Sequence, residues 1–578
     1  MAVPSSMDVE ASVGSSSDGE RRDSTGSTTT TTTGTRKNLV GKFFASLGKG
    51  IREDVMARKP HYVEDWEEVT KDRGRGLTRI LAAAVYIFFA SALPAIAFGE
   101  QLNVETKGKM TIYHTLLSTG MCGLMQSVFG GQPLLIVGVA EPIVIIYHFM
   151  DDYCTRTGID FTAWAAWTCV WATGFLTIMA VTNLCNGIKW FTRFCGETFG
   201  MLIAILFLQQ AIKGLVDEFR YEQAESYWRV MNGMFGLVLA FLYVWSSSAL
   251  SQARRWRIGN SFLRAVLADY GFALSLVAMT GVSFAMSSWG DKPVDVPQRI
   301  VMPPISESVW VTSGVYVVYD MASVTVAQIF AAIIPGFVIS VLFYFDHSVS
   351  SQLAQQKDFN VTRPSAYHYD LLLLALMTIL CGLLGLPPVN GVLPQAPLHT
   401  RSLTSKVLLA EDEGGDQHEG MVEGTVKGKK VLKVYESRLS NFIQAALCIV
   451  LFGVAQYILK LIPTALVWAF FAFMALESLP GNQLWDRLQI IVCDAKKRAE
   501  WARDTSCQCA YLETVPYSSI AIFTLIQVTC LLGIWAITVW AGLFGISFPI
   551  FIMALVPLRA LVLPKVIKPN FLSDLDAD

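Results

Sequence analysis

Long apolar stretches recur from about residue 80 to about residue 562, with only short polar intervals between them. A bilayer core about 30 Å thick is crossed by about 20 apolar residues in a helix. Twelve stretches reach or approach that length, and two more are apolar but interrupted by glycine and proline. The pattern therefore predicts an all-α integral membrane protein with fourteen transmembrane segments. The twelve uninterrupted stretches are 80–98, 112–129, 162–182, 198–215, 231–250, 265–286, 324–345, 371–386, 442–459, 464–476, 520–540 and 546–561.

The two interrupted stretches are the third and the tenth in chain order. They read GGQPLLIVGVAEPIVIIYHF at 130–149 and GLPPVNGVLPQAPLHTRSL at 385–403. Each is number three in a set of seven, and because seven is odd, the second set enters the bilayer from the opposite side. The order thus predicts a 7+7 inverted repeat in which passes 3 and 10 are broken half-helices.

Broken helices at this depth indicate where a binding site lies. Irregular backbone persists inside a bilayer only where it is buried in protein or lines a cavity. Half-helices that start near the midplane would aim free amides and about half a positive charge each at one another, which suits an oxyanion. We therefore expect a small-anion site here. The alternative, that proline and glycine are simply common in membrane helices, is disfavoured by their occurrence at two equivalent places.

Two carboxylates within the apolar stretches are candidates for this site, because a charge near the bilayer centre costs about 2.5–3.5 kcal/mol on insertion scales. Asp346, followed by His347, ends the eighth pass. We expect it to face the cavity and either couple a proton or tune the site, the alternative being an interfacial helix-end carboxylate. Glu141 either faces the site or caps the amides of its own half-helix.

The distribution of basic residues predicts the orientation. If the basic N-terminal region is cytosolic, Lys and Arg should concentrate in alternate loops, and the loops between them should be poor in basic residues. The loops 151–160 and 217–226 are indeed acidic, and both termini are predicted to be cytosolic. The basic positions that fall on the inner side are Lys189, Arg193, 254–257, Arg264, Lys357, Arg363, 496–498 and Arg503.

Composition excludes several other classes of protein. Of 578 residues, 53% are hydrophobic and 16% are charged, against about 25% charged in soluble proteins. The formal net charge of −2 argues against nucleic-acid binding. Eleven scattered cysteines indicate no disulfide framework, and we assign no metal and no cofactor. A membrane enzyme is disfavoured because the chain has no H-E-x-x-H, no G-x-S-x-G and no phosphate-binding glycine loop. A membrane scaffold or sensor is disfavoured because the long non-membrane stretches are polar.

The predicted organisation follows from these spans. The N-terminal region is a Ser/Thr-rich, disordered cytosolic tail that includes, near 39–52, either a short basic amphipathic helix or a solvated linker. The predicted regions are the tail with this segment (1–76), a first seven-helix repeat (77–290), an extracellular loop (291–321), a second repeat (322–565) containing a cytosolic loop (403–438), and a cytosolic C-tail (566–578).

Several motifs resemble those of plant-type boron (borate) transporters, within the broader bicarbonate-transporter and anion-exchanger superfamily. The resemblance extends from about Trp66 to Pro569. The motifs are GGQPLLIVGVAEP, TRFCGETFGMLIAILFLQQAIKGLVDEFR, YFDHSVSSQLAQQKDFNV, PSAYHYDLLLLA, GLPPVNGVLPQAPLHTRSL, FMALESLPGNQLW and VPLRALVLPKVIKP.

The resemblance implies a function and a site. It implies borate efflux across the plasma membrane by a homodimer, with a core domain that moves elevator-like against a gate domain. Chloride/bicarbonate exchangers carry an Arg where this chain has Gln395, so exchange of those anions remains the alternative but is disfavoured. The substrate-site residues that the resemblance implies are Gln132, Glu141, Asp346, Gln395, His399 and Thr400.

Overall fold

Helices make up most of the chain, as the hydrophobic pattern predicts. The computed structural model describes residues 47–68, 75–220, 226–285, 296–302, 304–305, 320–356, 359–409, 429–480, 482–494 and 511–576. The helices are α1 (Lys49–Arg58), α2 (Tyr62–Glu67), α3 (Arg75–Glu105), α4 (Ile112–Phe129), α5 (Glu141–Thr157), α6 (Phe161–Val181), α7 (Arg193–Asp217), α8 (Ser226–Ser251), α9 (Ser261–Ser283), α10 (Val326–Ala331), α11 (Ile333–Ala354), α12 (Tyr367–Leu383), α13 (Gln395–Ser402), α14 (Arg438–Ile458), α15 (Thr464–Ser478), α16 (Gln483–Val492), α17 (Tyr511–Thr514), α18 (Tyr517–Trp540), α19 (Phe548–Leu561), α20 (Leu563–Val566) and α21 (Pro569–Leu575). The strands are β1 (Val137–Gly138), β2 (Asn390–Gly391), β3 (Thr404–Leu409) and β4 (Lys429–Val434).

Within these ranges, nine helical spans are long and apolar enough to cross a membrane, or ten if α15 and α16 form one broken span. The predicted helices α4 and α12 are present but are not among the nine. Helix α4 carries many polar side chains along its 18 residues, and α12 has 17 residues. The chain is thus a multi-pass integral membrane protein, and the count of fourteen passes stays a prediction.

Local chemistry sets many helix starts. The Asp160 carboxylate accepts hydrogen bonds from the amides of Thr162 and Ala163 at the start of α6. Asn260, Ser437 and Asn482 cap α9, α14 and α16 in the same way. Such side chains satisfy amides that have no partner within the helix, and each cap contributes about 1 kcal/mol.

The helix contacts form two groups, which are joined by further contacts such as that of α3 with α15. In one, α4 packs against α3 and α14, and α6 packs against α11 and α12. In the other, α15 packs against α7 and α8, and α8 packs against α9. Aromatic side chains fill one junction between the groups, where Phe345 of α11 makes edge-to-face contacts with Phe191 and with Phe199 of α7.

The chain is not purely α-helical, because two short antiparallel ladders interrupt the helices. Strands β3 and β4 pair from Thr404↔Val434 to Leu409↔Lys429, inside the region that the sequence predicts as a loop (403–438). The ladders correct the all-α prediction. The physical reason for the β3–β4 ladder is that the two chain segments that flank a long polar connection pair with each other through their backbones. The predicted N-tail to residue 46, most of 291–321, and 410–428 lie outside the described residues.

The second ladder joins the two interrupted segments. Both segments break where glycine and proline predict: the chain is non-helical between α4 and α5 and between α12 and α13. Strands β1 and β2 lie in these breaks and pair through Val137↔Gly391 and Gly138↔Asn390. The amide of Val392 also donates to the carbonyl of Ile136 at 3.0 Å. Each break thus supplies hydrogen-bond partners to backbone groups of the other. Buried backbone groups need such partners in a low-dielectric interior.

A buried ion cluster ties α2 to this region. Asp65, fully buried, accepts hydrogen bonds from Arg58 (3.1 Å), from Arg438 at the start of α14 (2.9 Å) and from Arg363. Arg438 also donates to the carbonyl oxygen of Gly130 at 2.6 Å. The first residue of the first break is therefore held by the same arginine that anchors α2.

Candidate functional site

The starts of two helices flank the β1–β2 crossing. Helix α5 begins at Glu141, three residues after β1, and α13 begins at Gln395, four residues after β2. A helix start carries amides without intrahelical partners and a partial positive charge. The two breaks therefore present polar backbone and side-chain groups together in the buried interior.

Asp346 lies on α11 beside this crossing. Its side chain is 2% exposed, its Oδ1 has no protein hydrogen-bond partner, and Asn390 of β2 lies next to its carboxyl group. A Cβ added to Gly391 would lie 3.1 Å from both the Cα of His347 and the Cβ of Ser350. Glycine at 391 therefore lets β2 approach α11 closely, which brings Asn390 to Asp346.

Glu141 does not cap its own helix, so that alternative is wrong. The N-cap residue of α5 is Ala140, and no side chain caps the helix. The Glu141 Oε1 instead accepts a hydrogen bond from Nε2 of Gln101 on α3 at 3.0 Å, and its Oε2 has no protein partner. Glu141 thus links the half-helix α5 to α3.

Gln395 and Gln132 each have one hydrogen-bonding atom without a protein partner. Gln395 donates from Nε2 to the carbonyl of Ala90 on α3 at 3.2 Å, and its Oε1 is unpartnered. Gln132 accepts from the Leu134 amide (3.3 Å), while its Nε2 is unpartnered. The backbone amide of Gln132 donates to Asp370 of α12 at 3.0 Å, which fixes the start of the first break.

His399 and Thr400 hydrogen-bond α13 to neighbouring segments. The two ring nitrogens of His399 lie 2.9 Å from the carbonyl oxygen of Leu134 and 2.8 Å from Oγ of Ser440. The Thr400 hydroxyl donates to the carbonyl of Ala354 at the end of α11 at 2.9 Å. Both side chains are fully buried, and both connect α13 to its neighbours.

Several buried atoms without protein partners lie around this crossing. Leaving a buried polar group unpaired costs about 1–3 kcal/mol, and more for a charge, so such groups are rare in well-packed interiors. The atoms on residues around the two breaks and on the facing helices α3 and α11 include Gln101 Oε1, Gln132 Nε2, Glu141 Oε2, Asp346 Oδ1, both ring nitrogens of His347, Ser350 Oγ, Asn390 Nδ2 and Gln395 Oε1.

Sequence reasoning missed three members of this set. Gln101 follows Glu100 near the end of an apolar span, Asn390 stands between valine and glycine, and Ser350 lies one turn after Asp346. A polar side chain inside an apolar span is a usable signal, and Gln101 carries it. Asn390 and Ser350 become recognisable only when the breaks cross.

A cavity of about 240 Å³ lies between α3, α5, α7 and α18. Of the six predicted site residues, Glu141 lines this cavity. The other polar lining residues are Gln101, Glu105, His148, Gln209, Gln210, Lys213 and Thr538. Within the described part of the chain, no group of three or more His, Cys, Asp or Glu side chains is arranged to hold a metal ion.

Interrupted membrane helices that meet in a buried polar site define a class of protein: the multi-pass membrane transporter. The family model described as "HCO3- transporter integral membrane domain" matches residues 46–233 and 221–578. The chain therefore belongs to the bicarbonate-transporter family, and it is a transporter rather than an enzyme.

Named relatives within this family include plant proteins. The chain is 40% identical to probable boron transporter 3 of Arabidopsis thaliana, over 92% of this chain and 80% of the relative. It is 39% identical to boron transporter 4 of the same plant, over 92% of this chain and 87% of the relative. Among solved structures, the transmembrane domain of a cyanobacterial bicarbonate transporter, BicA, aligns with 79% of this chain and 98% of its own, at a TM-score of 0.48 and 15% identity.

Proposed function

We propose that this protein exports boron, as borate or boric acid, across the plasma membrane as a secondary active transporter. The observation that carries the proposal is the crossing of two interrupted segments, surrounded by buried polar atoms that have no protein partner. Those atoms include both donors and acceptors, which suits a solute rich in hydroxyl groups. The names of the plant relatives support boron as the transported element.

The proposed architecture is a 7+7 inverted repeat of fourteen passes with both termini in the cytosol. Its support is the alternation of basic and acidic loops and the equivalent position of the two breaks in each set of seven. The group containing α3–α6 and α11–α14 would form the core domain, and the group containing α7–α9 and α15 the gate domain. The core would shift elevator-like against the gate, and the protein would form a homodimer through the gate.

Electrical coupling gives efflux a driving force. If a single borate anion moves alone, an inside-negative potential favours its exit by about 2.3 kcal/mol per 100 mV. Proton coupling through Asp346 or His347 would remove that contribution. The substrate-site residues proposed on the crossing are Gln132, Glu141, Asp346 and Gln395, while His399 and Thr400 would position α13.

Bicarbonate/chloride exchange is the alternative function. An exchanger that binds small anions gains from a fixed cation at the half-helix, yet Gln395 begins α13, and the one Lys or Arg of that helix, Arg401, is exposed. A glutamine amide both donates and accepts hydrogen bonds but carries no charge. Borate is therefore favoured over chloride at this position.

Boron content of cells tests the proposal. Cells expressing the chain and grown in boric acid should hold less boron than control cells, and the cells should release boron faster after transfer to boron-free medium. Cellular chloride and bicarbonate should exchange at the control rate. Unchanged boron content together with faster chloride/bicarbonate exchange would favour the alternative.

A further inference from the structure

The cavity beside α5 contains two buried hydrogen-bond acceptors that have no protein partner. Gln101 and Glu141 both line it, and each is 3% exposed. Their mutual hydrogen bond uses the amide nitrogen of Gln101 and Oε1 of Glu141. Oε1 of Gln101 and Oε2 of Glu141 are left without protein partners. An occupant of this cavity therefore needs hydrogen-bond donors.

The charged side chains that line the cavity meet at Glu105. Lys213 Nζ lies 2.5 Å from Oε1 of Glu105, and His148 Nδ1 lies 2.8 Å from Oε2 of the same carboxylate. Both cationic side chains of the lining are thus held by Glu105, and Gln101 is the hydrogen-bond partner of Glu141. Glu141 also stands at the first position of α5, where it offsets the positive end of that helix.

The rest of the lining supplies no further charge. Helix α18 contributes Thr538 and Val539, and α7 contributes Gln209 and Gln210 beside Lys213. Gln209 accepts a hydrogen bond from the indole of Trp535 at 3.1 Å, so its amide nitrogen is the group left to donate. This lining suits a solute that carries several hydroxyl groups.

We propose that this cavity binds undissociated boric acid, with Gln101 Oε1 and Glu141 Oε2 each accepting a hydrogen bond from a boron-bound hydroxyl group. Boric acid is small, uncharged near neutral pH and carries three O–H donors, so it can donate to both unpartnered acceptors. Bicarbonate carries a single O–H donor and can satisfy only one of them. The inference rests on the proposed function, since it names the form of boron that the protein binds and two residues that select it.

Binding to the purified full chain in lipid nanodiscs tests this inference. Boric acid affinity is measured by calorimetry near neutral pH, with sodium bicarbonate as competitor. Gln101→Leu and Glu141→Gln should each weaken boric acid binding about tenfold, the effect of losing one hydrogen bond or its charge assistance. Bicarbonate should not displace boric acid from the wild type but should do so from Glu141→Gln, because the glutamine amide can donate a hydrogen bond to the anion where the carboxylate accepts one. A substitution that only impaired folding would not allow bicarbonate to displace boric acid.

The control is Gln444→Leu, which replaces an equally buried glutamine that does not line the cavity and should leave boric acid affinity unchanged. If Gln101→Leu fails to fold, Glu141→Gln decides, because it preserves the shape of the side chain. The inference is overturned if Glu141→Gln binds boric acid like the wild type, or if bicarbonate competes equally with both proteins. Absence of boric acid binding by the wild type would instead overturn the proposed function.

Discussion

At the residue scale, Asp346 shows why position matters more than residue type. The sequence offers many carboxylates, but this one is buried, and within the described chain no cation lies within ion-pair distance of it. Holding a carboxylate without an ion-pair partner in such a place costs free energy, and this is why we propose a role for Asp346 in the transport site.

Replacing Asp346 should therefore separate transport from stability. Asp346→Ala is expected to abolish boron transport while surface expression stays normal, and the melting temperature of the purified protein should stay the same or rise. The reason is that the substitution removes a buried carboxylate that has no ion-pair partner, which offsets the loss of its contact with Asn390. Boron efflux, surface labelling and thermal melting check this. The control is Glu477→Ala, at an exposed helix end, which should transport normally. Normal efflux by Asp346→Ala would refute the assigned role.

Sequence reasoning named part of the proposed site at this scale. Glu141 stands out as a carboxylate in an interrupted apolar stretch, and Gln395 is implied by the resemblance to boron transporters; each begins a half-helix. His399 and Thr400 were equally visible in the sequence, yet both are occupied by hydrogen bonds to neighbouring segments. Gln101 could not be predicted as a site residue because its partner, Glu141, lies forty residues away in the chain. Sequence spacing does not reveal such contacts.

At the element scale, the β1–β2 ladder determines the geometry of the site. Glycine and proline predict that the two helices break. Two-residue strands have no periodicity to read, so the pairing Val137↔Gly391 was outside the reach of pattern analysis. The close contact of β2 with α11 is likewise invisible to pattern analysis, because it depends on the absence of a side chain at Gly391.

Gly391→Ala should disturb this contact. The added methyl group would lie 3.1 Å from His347 Cα and from Ser350 Cβ, so β2 and α11 must separate slightly to accept it. We expect a destabilisation of about 1–3 kcal/mol, typical of overpacking, and a loss of boron transport. Thermal melting and efflux assays measure both effects.

The matched control is Gly453→Ala in α14, where an added methyl group meets nothing within 4 Å. Alanine favours a helix over glycine by about 0.5–1 kcal/mol, so this variant should be as stable as the wild type or more so, and transport should be normal. Equal behaviour of the two alanine variants would show that the β2–α11 contact is not required.

At the scale of the whole molecule, charged residues far apart in sequence converge on one point. The Asp65 cluster joins α2, the segment before α12 and the start of α14 through three arginines. Arg438 then holds the carbonyl of Gly130, so the cluster and the first break share a residue. The composition of 1–76 predicts a tail with an amphipathic segment, and nothing in it indicates that Asp65 is fully buried.

Asp65→Asn should strongly destabilise the protein. Removing the carboxylate charge leaves three arginines around an amide, and breaking a buried ion pair costs about 3–5 kcal/mol. Thermal unfolding of the purified protein measures the loss. The control Asp152→Asn removes a solvent-exposed pair with Arg156 on α5 and should change stability by less than about 1 kcal/mol. Equal melting temperatures for both variants would contradict the role of the cluster.

Hydropathy predicted a multi-pass membrane protein correctly, because apolar length is a strong signal. It was less decisive for the number of passes. Short or polar helices such as α4 and α12, and the halves α5 and α13, are stabilised by contacts with neighbouring helices rather than by lipid-facing apolar length.

The most direct test of the central claim is boron release from proteoliposomes that contain the purified full chain. Vesicles loaded with boric acid, chloride and bicarbonate are diluted into boron-free buffer, and each solute is followed over time. The account predicts rapid boron release that exceeds protein-free vesicles and is lost with Asp346→Ala, without chloride/bicarbonate exchange. Release of boron at the rate of protein-free vesicles, or equal release by Asp346→Ala, would contradict it.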